Sequence, residues 1–143
     1  MTYQLDIRPG PERMAAAAEL RTRVFVNEQG VDPAIERDGR DGDTLHVTVS
    51  DPGGAVVGTG RLMLGDGYAK VQRVAVDASR RGEGIGRRVM EGLDRLAIHE
   101  GIREMRLSSQ ADAVPFYERL GYVAQGEPYL EAGIIHLAMS RTL

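Results

Sequence analysis

Apolar and polar positions alternate weakly through TYQLDIR, residues 2–8, and Pro9 and Gly10 follow, which predicts a short strand that ends before a helix. The next stretch, ERMAAAAELRTRVFV, carries an alanine run and apolar positions at Met14, Ala18, Leu20, Val24 and Phe25, the spacing of an amphipathic helix that stops by Gly30. Residues 30–44, GVDPAIERDGRDGDT, are rich in Gly and Asp and read as loop. Two β-rich runs come next, LHVTVSD and AVVGTGRLML, joined through Pro52, Gly53 and Gly54 as a hairpin. After GDG, the run YAKVQRVAV completes three successive antiparallel strands.

The period then changes. A strand over residues 71–76 runs into a turn holding Gly82, Gly84 and Gly86, and Ile85, Val89, Leu93, Leu96 and Ala97 recur beyond it at helical spacing until Gly101. REMRLSS is a strand parallel to the one before the turn, because a helical crossover joins them. ADAVPFYERLGY predicts a short helix capped by Asp112 or a neighbour and closed by Gly121, and YVAQGE and GIIHLAMSR predict a final hairpin. No repeat or linker divides the chain, so residues 1–143 are expected to form one α+β domain. Its sheet is mixed and mostly antiparallel, with one parallel βαβ crossover and flanking helices.

Composition narrows the function. With 42% hydrophobic and 27% charged residues the chain falls in the globular range. No apolar run reaches the length of a spanning helix, and the first residues lack a basic region before an apolar stretch, so a cytoplasmic protein without membrane association is expected. The absence of cysteine removes disulfides, thiolate metal sites and cysteine nucleophiles. A net charge of −3 without a broad basic face argues against nucleic acid. Acids in residues 30–44 suggest calcium, but Arg40 interrupts the alternating ligand series, and no metal is expected.

The basic cluster is local and surrounds the glycines in VQRVAVDASRRGEGIGRRVM. A strand, a glycine-rich turn and a helix start form a phosphate site, because the first helical N–H groups lack internal partners and carry partial positive charge. Arg80, Arg81, Arg87 and Arg88 add mobile charge at the same mouth. The competing reading is a tight packing turn with solvated arginines. No lysine follows the glycines as a P-loop requires, and Arg87 stands where a dinucleotide fingerprint needs its last glycine.

These residues resemble the coenzyme A segment of the GNAT N-acetyltransferase superfamily, whose pattern [QR]-x-x-G-x-[GA] is met from Arg81 to Gly86. AVPFYERLGY resembles that family's later helix, while LRTRVFVNEQGV, ERDGRDGDTLH and GIIHLAM resemble its ElaA-like branch. The resemblance covers nearly the whole chain.

It implies acetyl-CoA as cosubstrate and transfer to a primary amine of a small molecule, a lysine or a protein N-terminus. The pyrophosphate is expected on Arg81, Gly82, Glu83, Gly84, Ile85, Gly86 and Arg87, the pantetheine arm beside Val74, Ala75 and Val76, and Phe116 against the cofactor. Tyr117 matches the tyrosine that protonates the departing thiolate, although with Phe116 and Leu120 it also makes an apolar helix face. Glu28 is a candidate base or acceptor contact, with Glu131, His46 and His136 as further candidates. The plain alternatives are a solvated helix-end charge for Glu28 and carbonyl-paired strand residues for the histidines. Gln29, Arg73, Glu131 and His136 are expected to line the acceptor site, and gathered carboxylates at Glu28, Glu36 and Glu131 would favour a cationic acceptor. A CoA-binding regulatory module without turnover is the alternative class, a nucleotide-dependent oxidoreductase is a third, and a homodimer fits families of this kind.

Overall fold

The computed structural model describes residues 2–143. In chain order the elements are β1 (Gln4–Ile7), α1 (Pro11–Arg21), a π-helical segment (Thr22–Glu28), α2 (Pro33–Glu36), β2 (Leu45–Ser50), β3 (Val56–Leu64), β4 (Ala69–Val76), α3 (Ile85–His99), β5 (Glu104–Gln110), α4 (Val114–Arg119), β6 (Val123–Glu131) and β7 (Ile134–Thr142). Short 3-10 turns lie at Asp41–Asp43, Ala78–Arg80 and Ala111–Ala113. One seven-stranded sheet has the order β1-β2-β3-β4-β5-β7-β6. Its pairings are antiparallel except β4 with β5, so the mixed sheet with a single parallel crossover is as the pattern implied. The final hairpin forms, but β7 lies inside it against β5 and leaves β6 at the edge.

Helix α3 lies on one face because its apolar stripe, Ile85, Val89, Leu93, Leu96 and Ala97, is fully buried. It packs unusually close. A Cβ on Gly60 would sit 2.7 Å from Val89 Cγ1, and one on Gly58 2.5 Å from Ile85 Cγ2, so bare backbone at these two points of β3 lets the helix approach. On the opposite face Ala17, Leu20 and Val24 pack with Val56 and Ala75.

The first helix departs from expectation. It stops at Arg21 and widens into the π-helical segment, where Gln29 donates to the Val24 carbonyl at 3.1 Å, five residues back. The buried face is Ala17, Leu20, Arg21 and Val24, whereas Ala18 is exposed and Met14 half-buried, so Leu20 and Val24 face the core as the spacing suggested but the buried alanine is the one before Ala18. Residues 30–44 are not wholly irregular either: Asp32 caps α2 by accepting from the Ala34 N–H at 2.8 Å. Helix α4 starts at Ala113 without a side-chain cap, so Asp112 does not fill that role.

A charge network pins the loop to the sheet. Arg21 pairs with Glu36 and Asp41, Arg61 with Asp38 and Asp41, and Arg73 with Glu36 and Asp38. Arg61 is only 1% exposed, and its guanidinium is satisfied by Asp38, Asp41 and the Gln72 side-chain oxygen. A buried cation survives only when paired and bonded in this way. No helix among the described residues is long and apolar enough to cross a membrane.

Candidate functional site

The site begins where β4 and β5 part. They pair only from Ala69 with Met105 to Val71 with Leu107, although β4 runs on to Val76 and β5 to Gln110. Two observations account for the divergence. Between Thr59 and Arg61 on β3 the register shifts, opposite Ala75 and Gln72, which places an extra residue in β4 where Arg73 has φ 55°. Such a bulge bends its strand away. Meanwhile β5 keeps pairing with β7 as far as Gln110 with His136 and cannot follow.

The gap opens into a cleft of ≈1060 Å³. Its floor is β4 and β5, one wall is the π-helical segment with α2, and one end is the glycine turn. Gly84, at φ 81°, is the residue before the first turn of α3, a conformation that only glycine adopts without strain. That first turn holds no acidic residue and no side chain caps it, so its N–H groups face the cleft end as open donors. Phe116 closes against the turn, 3.2 Å from where a Cβ on Gly86 would be.

Val74, Ala75, Val76, Arg81, Gly82, Gly84, Ile85, Gly86, Arg87, Phe116 and Tyr117 all line this cleft, as do Glu28, Gln29, Arg73, Glu131 and His136. Three candidates do not, and the first of them, Arg88, holds its guanidinium 5.4 Å over the Tyr3 ring instead. The Glu83 carboxylate accepts from the Tyr3 hydroxyl outside the cleft, because the turn aims its side chain towards β1. His46 lies under the loop with Nε2 2.9 Å from the Asp41 carbonyl and 3.0 Å from Thr44 Oγ1, and burial lowers its pKa, so it is a structural residue of the charge network.

The placed residues are tied to specific partners. Arg81 Nη2 donates to Glu28 Oε1 at 2.9 Å and to the Val76 carbonyl at 3.1 Å. The bond from Arg81 holds the Glu28 carboxyl below its ordinary range, and the same bond raises Arg81. The Val76 carbonyl therefore borrows a guanidinium where a strand partner is missing. Gln110 donates to Gln29 Oε1 at 2.6 Å and bridges the wall to the far strand. Tyr117 is 8% exposed, with its ring edge-on to Phe116 and Tyr122 at centroid distances of 5.0 and 5.8 Å. Burial pushes its phenol well above the ordinary tyrosine value, and its hydroxyl has no protein partner among the described residues.

The carboxylates do not gather at the mouth as free acids. Glu36 is buried against Arg21 and Arg73, each at 2.9 Å, because the loop folds inward onto those guanidiniums. Glu131 lies 3.5 Å from His136 Nε2, while His136 Nδ1 is 2.7 Å from the Ile134 carbonyl. The cleft also contains Lys70, Gln72, Ser108, Ser109 and Gln110, which the sequence did not single out. Period-two alternation puts Lys70 and Gln72 on one face of β4 and Ser108 and Gln110 on one face of β5, with Ser109 on the other, but the open face is defined only by the bulge and the β7 insertion.

A family model described as an acetyltransferase (GNAT) domain matches residues 12–143. The uncharacterized N-acetyltransferase YjcF of Bacillus subtilis (strain 168) is 38% identical over 136 residues, 94% of this chain and 96% of that protein. An acyl-CoA N-acyltransferase from Pseudomonas aeruginosa superposes with a TM-score of 0.82 at 32% identity, covering 98% of each chain. Escherichia coli ElaA gives 0.82 at 28% identity, again over 98% of each chain.

Proposed function

Because the chain belongs to the GNAT acetyltransferase family, we propose that it moves the acetyl group of acetyl-CoA directly to a primary amine of a small molecule or a protein. The observation that carries this reading is the unpaired edge of β4 from Val74 to Val76, opening beside the uncapped start of α3. An extended pantetheine arm satisfies such an edge by strand-like hydrogen bonds, and a diphosphate satisfies the helix N–H groups. The residues present fit that cosubstrate: Gly82, Gly84 and Gly86 leave the turn bare, and Arg81 and Arg87 supply positive charge beside it.

In the transfer the amine nitrogen bonds the carbonyl carbon, the carbon–sulfur bond breaks, and the amine loses a proton while the thiolate takes one. A backbone N–H at Val74 polarises the carbonyl. Tyr117 supplies the thiolate proton. Burial keeps its phenol protonated throughout the working pH range, and Tyr117 lines the same cleft as Val74. The proton from the amine goes to Glu28, held ionised by Arg81, or to water beside it. The pocket is soluble-ligand sized, and no nucleic acid or membrane partner enters this reading.

Incubating the protein with acetyl-CoA and a panel of amines while following free thiol tests the proposal. Thiol release that depends on an amine is expected. Tight coenzyme A binding with no release across the panel would instead favour the regulatory module.

A further inference from the structure

Lys70 is the only lysine in a chain otherwise supplied with arginines. It lies on β4 in the paired part of the strand and lines the cleft, half-buried, at the end away from the glycine turn. Four residues, about 13 Å of strand, separate it from Val74, which leaves room for an acetyl group and a short acceptor between them.

Its surroundings make it unusual. Among the described residues Lys70 has no ion pair and no hydrogen bond. Its cross-strand neighbours are Met63 on β3 and Arg106 on β5, so one flank is neutral and the other is a guanidinium bonded to Glu104. The acids on this part of the cleft wall and beside Arg106 are already committed, while Asp66 is exposed in the β3–β4 turn outside the cleft. Asp38 is bonded by Arg61 and Arg73, Glu36 by Arg21 and Arg73, and Glu104 by Arg106 at 2.6 Å. Asp112, Arg119 and Glu131, the other cleft charges without a guanidinium or carboxylate partner, belong to the α4 segment and to the β6 end beside Gln110, at the splayed end of β5. The acceptor floor therefore holds one uncompensated charge, and it is positive.

A half-buried ammonium beside an arginine, with its acids withdrawn, is a site for an anion. We propose that the acceptor amine also carries an anionic group, a carboxylate or a phosphate, which binds Lys70 while the amine reaches the thioester near Val74. This rests on the acetyl-transfer reading and replaces the cationic acceptor expected from Glu28, Glu36 and Glu131, because Glu28 is paired with Arg81, Glu36 is paired with Arg21 and Arg73, and Glu131 sits apart beside His136 near the splayed end of β5.

The single lysine makes a direct test available. Reductive 13C-methylation of the intact protein yields one lysyl resonance, which is titrated at constant ionic strength with β-alanine against β-alaninamide and with phosphoethanolamine against ethanolamine. A shift with an anion-bearing amine and none with its counterpart is expected, and which anion shifts it identifies the group. In parallel, the ratio of kcat/KM for the anion-bearing amine to that for its counterpart should fall about 10- to 100-fold in Lys70→Met. Lys70→Arg should keep that ratio within a few-fold. No shift with either anion, or a ratio unchanged in Lys70→Met, overturns the proposal. A shift without thiol release from any amine supports the anion site and removes the acetyl-transfer reading.

Discussion

Arg81 of the glycine turn donates to both carboxylate oxygens of Glu28, at the end of the π-helical segment, and so links the two walls of the cleft across its mouth. The same guanidinium covers the Val76 carbonyl. If acetyl-CoA binds as proposed, its diphosphate competes with Glu28 for Arg81 and its pantetheine amide competes with Arg81 for Val76, so that cosubstrate binding and release of Glu28 would be opposite sides of one exchange.

Removing the competitor should favour the ligand. Glu28→Gln is expected to tighten coenzyme A binding by about 2- to 5-fold, the scale of an exposed ion pair, and Arg81→Met to weaken it by about 10-fold. Titration calorimetry of the two variants reads both effects. Weaker binding in Glu28→Gln would mean that Glu28 orients Arg81 for phosphate instead.

Tyr117→Phe keeps the ring contacts with Phe116 and Tyr122 and removes only the hydroxyl. Turnover should drop about 10- to 1,000-fold, with coenzyme A affinity and thermal midpoint nearly unchanged. Steady-state kinetics beside a thermal melt separates this from a packing role, for which turnover would persist.

Gly60 is one of the two points on β3 where α3 comes close to the sheet. In Gly60→Ala the added carbon meets Val89 Cγ1 at 2.7 Å and Leu93 Cδ1 at 2.9 Å, both on fully buried side chains. Overpacking of this kind costs about 1–3 kcal/mol, visible as a lower urea midpoint with the slope retained.

Acid should loosen the loop over the sheet. The Asp38 carboxyl is held far below its ordinary value, first by its bonds from Arg61. An acid whose pKa is depressed in the fold contributes stability that is complete above its unfolded value, near pH 4, and that is lost as pH falls towards the folded value. Urea unfolding measured between about pH 6 and pH 3 should show that loss, and Asp38→Asn should flatten it. An equally steep decline in the variant would assign the acid sensitivity to other groups.

Much of this architecture was legible from local pattern. The alternation of residues 45–76, the helical stripe of α3 and the glycines between them each follow from contacts within a few residues, so the three antiparallel strands, the crossover and the turn could be placed without coordinates. The uncapped start of α3 behind Gly84, on which the proposed phosphate site rests, is likewise local, since it depends on backbone donors at one helix start.

Pairings between distant segments were not legible. Glu28 and Arg81 stand 53 residues apart, and Glu36 and Arg73 stand 37 apart, so an acid that reads as a free charge along the chain is a bonded one in the fold. The opening itself arises because β7 inserts beside β5 while the bulge at Arg73 turns β4 aside. Residue order carries the short-range propensities that build each strand and helix, but which charges cancel, and that Lys70 is left without a counter-ion among the described residues, depends on how the seven-stranded sheet brings remote backbones together.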